Sequence, residues 1–228
     1  MLPLAVNLIA IGLVLPLLVD ALARAFDTAS PASAGETVDT RGPVPSGDLD
    51  VWFALALLAV GASLLSADLA RQTSLHYQGA AFLTLTLGYS RALLTAGVVA
   101  AATSPPSLLG LSLFVDAVVP VWLTCALVAA SRRHLPPNPF VFLLGCGFFG
   151  LFLIGTAQLL LSVGAAELFP VDAGGGATAL APSERLVWGL LLLGGEVTLE
   201  GMLITVLVVY APRAVSMFDD RFYLATRS

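Results

Sequence analysis

In the run Leu190-Leu191-Leu192-Leu193-Gly194-Gly195-Glu196-Val197-Thr198-Leu199-Glu200-Gly201-Met202, two glutamates interrupt a stretch that is otherwise apolar or small. Their spacing puts both carboxylates on one face of a helix. Ionisable groups in so apolar a segment face a bundle interior or a wet cavity, and they are functional candidates by default. Glu196 and Glu200 are therefore read as a pair that shares a proton or holds a cation. The plainer alternative is that each meets a donor from another helix, such as Gln158 or an arginine.

His76 is the other residue suited to chemistry. At the mouth of a short helix, one ring nitrogen can ligate a cation while Gln78 orients the other. The competing role is an interfacial histidine hydrogen-bonded to backbone. Asp68 lies late in one apolar run and Asp116 early in another, so both are expected in the same outer vestibule as His76. His134 follows Arg132-Arg133 and reads as a solvated turn residue. Asp20 and Arg24 stand one helical turn apart and suit a local ion pair. There is no nucleophile constellation, and Gly174-Gly175-Gly176 lacks the lysine and the strand-to-helix setting of a phosphate loop. The sequence does not read as an enzyme. An ATP-driven process built on this chain must take its ATPase from another subunit.

The elements that would carry these residues follow from composition. Of 228 residues, 58% are hydrophobic and 11% charged, against about 45–50% and ~25% in soluble domains. Such an excess does not fit inside one soluble core, so the chain reads as a single integral membrane domain, 1–228. The formal charge is −5 and every base is arginine, which leaves no basic surface for nucleic acid. Cys125 and Cys146 lie in apolar runs without metal-type spacing and read as buried thiols, not a disulfide. The N-terminal run has no basic leader, so a retained first helix is expected in preference to a cleaved signal.

A membrane helix needs roughly 20 apolar residues. Leu2–Ala25, Val51–Ala70, Leu108–Ser131, Phe140–Leu168 and Leu186–Ala211 each read as one span. Flexible loops are expected at about 26–50 and 170–184, and a polar tail at 213–228. In that tail Phe218, Phe222 and Tyr223 alternate with Asp219, Asp220 and Arg221, so it is expected at the inner interface with its rings in the headgroups, docking a cytoplasmic or membrane partner. The remaining run, Tyr77–Thr103, carries Arg91 near its middle. As one helix it gives six spans, with Arg24, Arg41 and Arg185 outside and Arg91 in hydrocarbon. Broken at Gly88-Tyr89-Ser90-Arg91, it gives seven spans, with only Arg71 and Arg185 outside. Arginines of short loops collect on the cytoplasmic side. The expectation is therefore an all-α bundle of seven transmembrane helices, N-terminus outside and C-terminus cytoplasmic, with six helices as the alternative.

Leu75-His76-Tyr77-Gln78-Gly79, an apolar run, and then Leu87-Gly88-Tyr89 resemble the third-helix signature of the CbiM-type cobalt/nickel permeases. These are substrate-binding components of energy-coupling-factor ABC transporters. Leu108-Leu109-Gly110-Leu111-Ser112-Leu113-Phe114 is similar to the opening of that family's fifth helix. Leu135-Pro136-Pro137-Asn138-Pro139-Phe140-Val141-Phe142, Gly201–Tyr210 and Phe218-Asp219-Asp220-Arg221 resemble an uncharacterised bacterial CbiM-like branch. The likeness runs from His76 to Leu224. It implies a seven-helix permease in the bacterial inner membrane, working with a membrane energising subunit and ATPase subunits. It also implies cobalt or nickel as the transported ion, with no permanently bound cofactor. Metal-transporting members carry His at position 2 where this chain has Leu2, and Tyr77 replaces their proline, so His76 is the one metal ligand that carries over. Cobalt and nickel favour several nitrogen ligands, so a small cationic solute is an equal expectation. Along this path would lie His76, Gln78, Asp68, Asp116, Glu196 and Glu200. The rival reading is a non-transporting accessory or scaffold protein of the same fold, which Leu2 favours.

Overall fold

A computed structural model describes residues 2–27, 79–104, 106–168, 181–219 and 222–223 of the chain. They form six helices: α1 (Leu2–Asp27), α2 (Ala80–Leu87), α3 (Tyr89–Thr103), α4 (Pro106–His134), α5 (Val141–Leu168) and α6 (Pro182–Tyr210). Four of these, α1, α4, α5 and α6, are long and apolar enough to cross a membrane. The expected span Val51–Ala70 lies outside the described residues.

The bundle is apolar on its outside as well as inside. Ile9 is 65%, Phe149 68% and Leu199 70% exposed, an arrangement that water disfavours and lipid accepts. Hydroxyls within the helices are neutralised locally. Thr84, Thr86, Thr95, Thr124, Thr156, Thr198 and Thr205 each donate to the carbonyl one turn back in their own helix, so they need no water.

Packing contacts fix how the helices run. At one end, Asn7 of α1 meets the start of α4, while Val14 shares a small core with Ala100 and Leu113. Further along, Ala21 packs with Ala92, Leu93, Ala96, Ala117 and Val121. α1 and α4 therefore run one way and α3 the other. Gln158 meets Asp116 and Leu127 abuts Gly150, so α5 returns antiparallel to α4. α6 in turn runs antiparallel to α5, with Gly189 on Leu159 and Gly201 on Phe148. This brings Arg24, Arg91, Arg132 and Arg133 to one end of the bundle and Arg185 to the other.

The run around Arg91 is broken where the sequence expected. Gly88 has φ +79° and ψ 175°, a conformation essentially reserved for glycine. α2 covers eight residues, seven of them buried, and spans roughly 12 Å at 1.5 Å per residue. That is too short to cross a bilayer core of ~30 Å alone, but it suits a helix enclosed by α3, α4 and α6. The break leaves carbonyls at the end of α2 without helical donors. Ser216 N–H donates to the Thr86 carbonyl (2.9 Å) and Met217 N–H to that of Leu85 (3.1 Å).

Two expectations are corrected. Phe218, Phe222 and Tyr223 alternate with charged residues, which suggested a tail lying in the headgroups. Instead Phe218 and Tyr223 are buried against Phe142, with ring centroids 5.2 and 5.4 Å from it, and Arg132 Nη2 holds the Met217 carbonyl at 2.7 Å. The tail is part of the core because it completes the hydrogen bonding of α2. The last helix also begins at Pro182 and not at Leu186. Proline at the first position costs no hydrogen bond, and Glu184 accepts the Ala181 N–H at 3.2 Å.

Candidate functional site

Asp116 sits in a widened turn of α4, Leu113–Val118, where the backbone bonds run i to i+5. Pro120 explains the widening. It lacks an N–H, and in a regular helix its ring collides with the carbonyl four residues back, which is that of Asp116. Such π-helical turns frequently occur at functional sites. Across from it, Gln158 of α5 is 3% exposed and donates from Nε2 to Asp116 Oδ1 at 3.2 Å. The Gln158 Oε1 is buried and has no hydrogen-bond partner.

Glu200 lies on the inward stripe of α6, in line with Gly189, Leu193, Val197, Gly201, Ile204 and Val208, and is 8% exposed. Glu196, one turn earlier, is half-buried beside that stripe. The adjacent Gly201 explains the close approach to α5, because a Cβ there would come within 2.6 Å of the Phe148 ring. That part of α5 is itself widened, over Val141–Gly150.

The two acidic positions are not one cluster. Glu200 is level with Phe148 and the Asp116–Gln158 pair is near Leu159, which at helical rise puts them about 15 Å apart along α5. Gln158, expected as a donor to the glutamates, serves Asp116 instead. Asp116, Glu196, Glu200 and Arg91 all have interactions with neighbours, so none stands free. His76, Gln78 and Asp68 lie outside the described residues, and with them the expected outer vestibule. Among the described residues no group of three or more His, Cys, Asp and Glu side chains gathers to hold a metal.

The minor expectations fare simply. Arg24 Nη2 and Asp20 Oδ2 pair at 2.9 Å on the surface, a contact of small energetic weight. His134 is exposed at the end of α4, and Cys125 and Cys146 are free thiols, Cys146 buried in the core.

Sequence reasoning missed Asn7. Its Oδ1 accepts the Gly110 N–H at 2.5 Å and its Nδ2 reaches the Pro106 carbonyl at 3.4 Å. The side chain thus supplies a partner for the N-terminal amides of α4, which a helix cannot satisfy itself. An asparagine in an apolar first span was the available signal. Ser131 was also missed. Its buried hydroxyl and that of Tyr223 have no hydrogen-bond partner. Burial, then the nearby Cys146, push the Tyr223 hydroxyl above its ordinary 10.0, while Arg132 and Ser131 pull the other way. Comparison with protein-family models, curated proteins and solved structures gives no match.

Proposed function

We propose that this chain is the membrane-embedded, solute-binding permease component of an energy-coupling-factor-type transporter in the bacterial inner membrane, handling a cobalt or nickel ion or a small cationic solute. The observation that carries the reading is Glu200, a carboxylate buried on the inward stripe of a membrane-length helix. Nature keeps such groups where ions or protons pass, because their burial is costly. The half-buried Glu196 adjoins it, and the short α2 with its break at Gly88 is the kind of interrupted helix that borders binding sites in transporters. The sequence carries no Gly-rich phosphate loop, and on this reading energising membrane and ATPase subunits are its partners.

Seven spans with the N-terminus outside suit this role. The start of α1 and the end of α6 lie at opposite ends of the bundle, which an even number of spans would not produce. Arg24, Arg91, Arg132 and Arg133 share the end assigned to the cytoplasm.

The test is radioactive cobalt and nickel uptake in cells expressing the chain with its energising subunits, compared with Glu200→Gln. Glutamine keeps volume and hydrogen bonding but removes charge. Uptake that falls at least about tenfold, with insertion unchanged, supports the reading. Uptake indifferent to the substitution removes Glu200 from the path. The accessory-protein reading is favoured by Leu2, and would be supported by partner subunits co-purifying without any uptake.

A further inference from the structure

We propose that the hydroxyls of Ser131 and Tyr223 bind one internal water molecule, which ties α4 and α5 to the C-terminal segment at the arginine-rich end of the bundle. Ser131 is 7% and Tyr223 3% exposed, and neither hydroxyl oxygen has a hydrogen-bond partner. Ser131 departs here from the habit of the other helical hydroxyls. Thr124 of the same helix donates to the Pro120 carbonyl and Ser162 to that of Leu159, whereas Ser131 makes no such bond. A buried hydroxyl left unpaired is costly. Two of them at one place call for a ligand that serves both.

Three segments bring polar groups to this point. Ser131 comes from α4, Cys146 from the widened part of α5, and Tyr223 from the tail. The Tyr223 hydroxyl lies within electrostatic reach of Ser131, Cys146 and Arg132, and the Cys146 thiol within reach of Ser131 and Arg132. Ser131 and Tyr223 are thus close neighbours that do not bond to each other directly, a relation that a bridging water satisfies. A water both donates and accepts, as each hydroxyl does, and the thiol adds a further weak donor. That gives it three partners, the usual number for a buried water. The two hydroxyls bring no charge at neutral pH. Arg132 is exposed and its Nη2 already holds the Met217 carbonyl, so solvent screens its charge and the site calls for no counter-ion.

The experiment uses the purified full chain and has two arms. A crystallographic map of the wild type, fine enough to show ordered water, should carry a peak about 2.5–3.0 Å from both Ser131 Oγ and Tyr223 Oη. The two hydroxyls in direct contact, or no peak between them, overturns the site. The second arm follows thermal unfolding of Ser131→Ala, Tyr223→Phe and the double variant in nanodiscs at neutral pH. A water held by several groups stays when one hydroxyl is lost, so each single change should move Tm little. Losing both hydroxyls releases it, so the double variant should lose more Tm than the two single variants together. Additive shifts overturn the site, because then no ligand joins the two hydroxyls. Single losses as large as the double one overturn it too, because the hydroxyls then bond directly. Gluconate in place of chloride at constant ionic strength should leave the wild-type Tm unchanged. A fall seen in wild type and absent from the double variant would put an anion there instead of water. If the double variant does not fold, the map decides. No transported solute or energising subunit enters either arm, so the failure of this site and that of the permease reading are told apart.

Discussion

Ser216 donates its backbone N–H to the carbonyl of Thr86 at 2.9 Å, closing the gap that Gly88 opens between α2 and α3. A membrane interior offers no water to freed carbonyls, so a broken helix there survives only where other protein groups re-satisfy it. In this chain the C-terminal segment does so, and its aromatic residues anchor it on Phe142.

Gly88→Ala should therefore destabilise the protein on two counts. Its positive φ disfavours any Cβ by roughly 1–3 kcal/mol, and that Cβ would lie 2.8 Å from Ser216 Oγ. Thermal unfolding in detergent should show a clear fall in Tm. Adding Ser216→Ala should restore part of it by removing the hydroxyl and leaving the backbone strain. A wild-type Tm in Gly88→Ala would mean that the break is not held in this conformation.

The tail separates stability from partner docking. Phe218 is buried between Phe142 and Tyr223, so Phe218→Ala should cost about 3–5 kcal/mol, as large aromatic truncations in cores do. Removing residues 214–228 should then give aggregation or loss of a monodisperse peak, and not a folded protein that has merely lost its partners. A well-folded truncated chain would return the tail to a peripheral role.

Tyr223→Phe should be close to neutral at pH 7: by distance and angle the neutral hydroxyl it removes makes no hydrogen bond within the protein, and Arg132 and Ser131 lie close enough to act chiefly on its ionised form. Its effect appears in alkali. The folded-state pKa lies above the ordinary 10.0, chiefly through burial, so the unfolded chain loses this proton first. Stability is then fully present below the unfolded value and declines as pH rises through it towards the folded one. Wild-type Tm should fall more steeply than that of Tyr223→Phe above about pH 10. Parallel curves would show that this hydroxyl ionises alike in both states.

Much of this was legible in the sequence, and the rest was hidden for identifiable reasons. The break at Gly88 could be read because an arginine in hydrocarbon is costly and a glycine stood just before it. The inward face of Glu200 could be read from apolar neighbours. The pairing of Asp116 with Gln158 could not, because it depends on the register of α4 against α5, which no local pattern encodes. The tail was misread for a related reason. Charges alternating with rings do resemble an interfacial segment, and only the orphan carbonyls far upstream draw it inward.

Asn7 offers a test of the α1–α4 contact. Asn7→Leu leaves the Gly110 N–H without its acceptor in a buried setting, a loss of about 1–3 kcal/mol. Asn7→Asp keeps the acceptor oxygen and places a negative charge at the start of α4, where the helix dipole favours it. The aspartate variant should therefore unfold at a higher temperature than the leucine one. The reverse order would show that the contact at Gly110 is one of packing and not of hydrogen bonding.

The break before Arg91 decides between six and seven spans. With one unbroken helix through Arg91, the end of α1 and the start of α4 face the same side of the membrane. With two, they face opposite sides. Ala23, near the end of α1, and Ser107, near the start of α4, are both exposed, so single cysteines there, in a chain lacking Cys125 and Cys146, report directly. An impermeant thiol reagent should label Ser107→Cys in intact cells and Ala23→Cys only in inverted vesicles. That outcome follows from α1 and α4 running parallel, with Asp20 and Arg24 within electrostatic reach of Tyr89, next to the break. Labelling of both cysteines from outside would restore the six-span arrangement. It would also leave Arg91 buried in the membrane, with its positive charge held there by whatever neighbours it engages.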